Sequence, residues 1–133
     1  MVKRIYIALF MCLLCADQAP IDITIGLLPH IVWDALLEQT HAVYEVYLYS
    51  PTCGHCLAIE SDMVRIYLHR AQPPLYVMKT DATIPFGPPK PAGCQCRLED
   101  IKANGYPALF VIENGCLTNL VLGAAQIAAY YRF

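Results

Sequence analysis

Alternation of apolar and polar positions divides the chain into short strands and helical patterns. Residues 29–40 open with Pro29 and repeat apolar side chains at Ile31, Ala35 and Leu36, flanked by Val32 and Leu37, which predicts a helix. Residues 42–50 are rich in β-branched and aromatic side chains and apolar on both faces, as in a central strand. From Cys53 to about Arg70, apolar positions recur at three- and four-residue steps through Cys56, Ile59, Met63, Ile66 and Tyr67, the pattern of an amphipathic helix. Residues 75–81 read as the next strand, and the helix between the two makes them parallel neighbours. Residues 85–93 hold Pro85, Pro88, Pro89 and Pro91 with Gly87 and Gly93, an irregular surface loop. A short helix is expected over 97–105, ended by Asn104 and Gly105. Residues 108–123 are two apolar runs joined across Asn114 and Gly115, a strong hairpin signal, and 124–131 form a brief terminal helix. Strands alternating with helices predict an α/β fold whose sheet is covered on both faces.

The N-terminus changes the picture of where this domain acts. Lys3 and Arg4 precede the apolar run 5–14, and Ala16 or Ala19 offers a small residue for cleavage, so 1–19 is expected to be a signal peptide. A buried first strand or helix is the competing reading. The run falls short of the roughly 18 apolar residues of a membrane-spanning helix, and no stable span is expected. Residues 20–133 then make a single domain large enough for its own core. Hydrophobic residues are 57% of the chain, charged residues 15%, and the net charge is −2, which excludes a disordered tail and an electrostatic nucleic-acid surface. The leader predicts an extracytoplasmic protein, in the secretory pathway or endoplasmic reticulum lumen of a eukaryote or the periplasm or cell envelope of a bacterium.

Seven cysteines are present, and without Cys12 and Cys15 of the leader five remain: Cys53, Cys56, Cys94, Cys96 and Cys116. An odd count suits a catalytic pair plus accessory thiols better than a purely structural framework. Cys53 and Cys56 enclose Gly54 and His55 where a strand, turned by Ser50, Pro51 and Thr52, becomes a helix. Unpaired N–H groups and the positive dipole end at a helix start favour an anion, here the Cys53 thiolate, the species that attacks disulfides. Cys56, one turn inward, is the natural resolving thiol, and a protonated His55 favours the Cys53 thiolate and a more oxidising pair. A zinc half-site is the competing reading. The first pair heads a helix and the second, Cys94 and Cys96, is a Cys-x-Cys, so no metal is expected. Cys94 and Cys96 form a second exchangeable pair, or one joins Cys116, or both are spectators.

With these segments in order, the chain resembles a thioredoxin-fold domain of the protein disulfide isomerase type. The likeness rests on Tyr-Ser-Pro-Thr-Cys-Gly-His-Cys at 49–56, residues 79–83, Gly-Tyr-Pro at 105–107 with the hairpin behind it, and residues 121–124. It implies a thioredoxin-like α/β fold, a central mixed sheet of about four to five strands flanked by helices on both faces, here with a Pro/Cys-rich loop insertion. It also implies a cis bond between Tyr106 and Pro107, whose neighbouring backbone pairs with an extended substrate. The implied activity is thiol–disulfide oxidoreduction of protein substrates through a Cys53–Cys56 disulfide, with no other cofactor and with a redox partner that recharges the pair. The alternative is a non-catalytic thioredoxin-like binding or chaperone module with structural cysteines. Thr52 stands where the family usually has Trp, and Tyr47 where it has a buried acid. Glu45, two residues earlier on the same strand face, is the candidate base for Cys56, with Lys79 as the matching partner lysine, against the alternative of an exposed strand-end glutamate.

Overall fold

A computed structural model describes residues 24–90 and 94–133. The expected signal peptide lies outside the described residues. Four strands form one mixed sheet in the order β2-β1-β3-β4: β1 (Val43–Tyr49), β2 (Leu75–Lys79), β3 (Ala108–Glu113) and β4 (Cys116–Leu122). β1 runs parallel to β2 and antiparallel to β3, and β3 and β4 close the hairpin. Asn114 and Gly115 turn it with φ of 51° and 76°. Positive φ at both central residues is the primed-turn geometry that matches strand twist.

Two α-helices follow the sequence pattern, α1 (Gly54–His69) and α2 (Ala124–Tyr131). α1 buries Cys56, Ile59, Met63 and Val64. Each large apolar side chain so buried is worth about 1.5–3 kcal/mol. Val64 takes the place expected of Tyr67, which is exposed. Along β1 the side chains alternate between two cores. Tyr44, Val46 and Leu48 join Trp33, Leu36, Phe110 and Ile112, whereas Tyr47 and Tyr49 meet α1 and Ile127 of α2.

Both α-helices lie over this second core. Among the described residues the opposite face is covered by 3-10 turns and irregular chain, so the expected helical cover on both faces is met there by α-helix on one side only. The helix expected over 29–40 is reduced to a 3-10 turn, Trp33–Ala35. Ahead of it, Val77 N–H donates to the Pro29 carbonyl and Ile31 N–H donates to that of Val77, each at 2.9 Å. An unpaired sheet edge at β2 outbids helix propensity here, because the extended segment satisfies edge groups that a helix would leave bare. Similarly, the helix expected over 97–105 is a single 3-10 turn, Leu98–Asp100. Gly87 N–H donates to Ala103 and Ala103 N–H to Pro85, both at 3.0 Å, fastening the proline-rich loop to the segment entering β3.

Candidate active site around Cys53 and Cys56

β1 ends at Tyr49, and a tight turn carries the chain into α1: Cys53 N–H donates to the Ser50 carbonyl at 3.2 Å, and Thr52 N–H to Ser50 Oγ at 3.4 Å. Cys53 is the N-cap of α1, with extended backbone, and its Sγ accepts from the Cys56 N–H at 3.2 Å. Sulfur thus takes the position that a Ser or Asp oxygen fills in ordinary caps, among amides that favour a negative charge. Gly54 and His55 lie exposed on the first turn. A Cβ at Gly54 would meet nothing within 4 Å, so the space beside the first turn is open.

Both cysteines are free thiols, Cys53 half-buried and Cys56 buried. Burial pushes the Cys56 thiol up to about 12, helped by its hydrogen bond to Cys53. The two sulfurs are therefore unlike. Cys56 holds its proton, while Cys53 Sγ, half-buried at the helix cap, accepts the Cys56 amide and faces the Tyr106 carbonyl.

Opposite them, the Tyr106–Pro107 peptide bond is cis, and Cys53 Sγ lies 3.8 Å from the Tyr106 carbonyl oxygen. Among the described residues the Tyr106 amide and carbonyl join no other backbone group. Phe86, absent from the candidates drawn from sequence, stands edge-on to the Tyr106 ring at 5.3 Å between centroids and is 48% exposed. It belongs to the proline-rich loop. Its packing on Tyr106 is a long-range contact that no local pattern signals.

Glu45 is placed elsewhere. Its side chain is fully buried, paired with the Arg70 guanidinium and accepting from the hydroxyls of Tyr130 at 2.6 Å and Tyr131 at 2.7 Å. That corrects its expected role as base for Cys56. Lys79 is not its partner either, since Glu45 lies opposite Leu75 and Lys79 opposite Tyr49, four positions or about 13 Å along the strand. Lys79 is exposed beside His30 and Asp81. Tyr47 is the polar group next to Cys56. Its buried hydroxyl has no hydrogen-bond partner among the described residues, and it lines a cavity of about 110 Å³ with Cys56, Ser50 and Glu60. Burial, then the neighbouring thiols, drives its phenol far above the ordinary range, so Tyr47 keeps its proton.

Cys94 and Cys96 lie apart from this site. Cys96 is joined in a disulfide to Cys116 at the start of β4, and Cys94 is free and exposed. The length of β3, about 20 Å for six residues, separates them from Pro107.

With sheet order and cysteine site established, comparison with solved structures decides the fold. Thioredoxin f2 of Chlamydomonas reinhardtii superposes with a TM-score of 0.54 at 16% identity, over 79% of this chain and 94% of that one. The fold is thioredoxin-like. A second thioredoxin-like match comes from the structural work on the thiol resolving mechanism in yeast mitochondrial 1-Cys peroxiredoxin via glutathione/thioredoxin systems, with a TM-score of 0.52 and 13% identity over 82% of this chain and 95% of that one. No family model matches the chain, and no curated protein matches it. Among the described residues no helix is long and apolar enough to cross a membrane.

Proposed function

We propose that this chain is a thiol–disulfide oxidoreductase of the protein disulfide isomerase type, acting on extended protein segments through Cys53 and Cys56. The observation that carries the reading is the asymmetric pair at the start of α1. Cys53 Sγ accepts the Cys56 amide, and buried Cys56 retains its proton. In the reductive direction the Cys53 thiolate attacks a substrate disulfide, forming a mixed disulfide and releasing a substrate thiolate. Cys56 then gives up its proton and attacks Cys53 Sγ. The Cys53–Cys56 bond forms, the second substrate thiolate leaves, and the substrate has gained two electrons and two protons. Reversal oxidises the substrate.

The Tyr106 amide and carbonyl, which pair with no other backbone group among the described residues and lie beside Pro107 and Cys53 Sγ, support pairing with an extended chain, and Phe86 with Tyr106 offers its side chains an aromatic wall. The exposed Gly54-His55 dipeptide favours oxidation or isomerisation over reduction as the net direction. An extracytoplasmic site of action belongs to the same proposal, supported by the leader-like residues 1–19 and by the Cys96–Cys116 disulfide, a bond that persists in oxidising compartments. The pair itself serves as the redox group, recharged by a partner thiol or disulfide.

Insulin-disulfide reduction and refolding of a reduced, disulfide-containing protein test the reading. Cys53→Ser is expected to abolish both, and Cys56→Ser to accumulate mixed disulfides on Cys53. Unchanged rates with Cys53→Ser would leave the chain a binding module with structural cysteines.

A further inference from the structure

The sulfurs at the far end of the sheet take no part in that chemistry. Gln95 and Leu117 form an isolated antiparallel bridge, Gln95 N–H donating to Leu117 at 3.2 Å and Leu117 N–H to Gln95 at 2.7 Å. The rung sets Cys96 directly across from Cys116, with Cα atoms 4.1 Å apart, and the two are disulfide-bonded. Side chains two apart in extended backbone share a face, so Cys94 comes up beside that disulfide. Its free, exposed Sγ lies 3.8 Å from Cys96 Sγ, near sulfur–sulfur contact, and all three sulfurs lie within 4.8 Å of one another.

We propose that Cys94, Cys96 and Cys116 form a second thiol–disulfide exchange centre, in which Cys94 and Cys116 compete for Cys96. The Cys94 thiolate attacks Cys96 Sγ. The Cys94–Cys96 bond forms as Cys96–Cys116 breaks, and Cys116 leaves as a thiolate that takes up a proton in place of the one Cys94 lost. Electrons balance within the three sulfurs, so the step needs no oxidant or reductant. Its consequence is mechanical. In one form a covalent clip holds the insertion to β4, and in the other the clip is open and Cys116 is a thiol. The exchange is independent of the Cys53 reading, because a strand length separates the two sets of sulfurs.

Three thiolates in the reduced chain also form a partial metal site. Among the described residues no fourth His, Asp, Glu or Cys joins them, whereas structural zinc takes four ligands. Exchange is the better fit.

Trypsin separates the two linkages in the unaltered chain. Lys79, Arg97, Lys102 and Arg132 bound the peptides 80–97, with Cys94 and Cys96, and 103–132, with Cys116, while every other cysteine falls in 5–65. The oxidised protein is held at mildly alkaline pH, quenched in acid to remove the thiolate nucleophile, labelled with N-ethylmaleimide and digested. The expected result is a cross-linked peptide pair together with a second population, in which 80–97 holds an internal disulfide and Cys116 carries the label. That population is independent of protein dilution and falls at least about tenfold in Cys94→Ser, whose far-ultraviolet circular dichroism verifies the fold. Label on Cys116 that is absent with Cys94 present, or equal in Cys94→Ser, overturns the proposal. So does one tightly held zinc per reduced chain that blocks both linkages.

Discussion

Cys53 and Cys56 carry the same functional group three residues apart, and water makes them different. Cys53 caps the helix at the surface, whereas Cys56 is packed against Tyr47 and Ile59 in the helix-side core. Burial raises the Cys56 thiol from the ordinary 9.0 to about 12. Between these values the folded dithiol protein keeps a proton that the unfolded chain has lost. The native state then binds more protons, so its stability falls as pH climbs from about 9 to about 12. In the disulfide form neither sulfur titrates, and the buried tyrosines lower the stability of both forms as pH climbs, Tyr47 more in the dithiol form, where the thiols beside it raise it further. Denaturant midpoints of reduced and oxidised protein should therefore diverge above pH 9, the reduced form losing more. Parallel curves would mean that Cys56 is not buried in its protonated form. The placement of these cysteines, one capping the helix and the other one turn inward on its buried face, was legible in sequence because a strand-to-helix turn fixes it by local geometry. The buried phenol beside them, Tyr47, was not, since its surroundings depend on a cavity enclosed by Pro51, Leu57 and Ile25.

At the scale of elements, local bonding separates the expectations that hold from those that do not. α1 and the Asn114-Gly115 hairpin satisfy most of their backbone groups among near neighbours in the chain, and β1, though it bonds to both β2 and β3, carries a dense β-branched and aromatic run; their patterns were readable. Residues 29–40 carry helical spacing, yet the edge of β2 takes their amides instead. α2 is only eight residues long, too short to persist alone, and is held by burial of Ile127 and by the Glu45 carboxylate. That carboxylate ties the start of β1, the end of α1 through Arg70 and the tyrosines of α2 into one knot, with the Arg70 guanidinium 5.0 Å from the centroid of the Tyr131 ring. Glu45→Gln weakens charge-assisted bonds in a buried setting and should cost about 2 kcal/mol, read as a lower denaturant midpoint. Turnover per folded molecule in insulin reduction should be unchanged. A loss of turnover without loss of stability would restore Glu45 to the role of base.

For the whole molecule, the open question is how distant segments build one surface. Phe86 reaches the rim of the cysteine site only because the loop after β2 is stitched to Ala103, which brings it onto Tyr106. Phe86→Ala should raise KM for an extended peptide disulfide several-fold with kcat little changed, since on the proposed reading substrate would meet the ring away from the reacting sulfurs. An equal fall in kcat would instead make it part of the machinery that aligns Cys53. Sequence by itself determined the elements whose side-chain pattern or turn chemistry is local: the buried strand, the helix opening at Cys53, the hairpin, and with them the α/β class. Tertiary structure alone decided which groups meet across long stretches of chain. Glu45 found tyrosines 85 and 86 residues away, Cys96 chose Cys116, and Phe86 joined Tyr106. Those choices follow from desolvation and contact in three dimensions, quantities set by how the sheet and its covering segments pack, which no short window of residues contains.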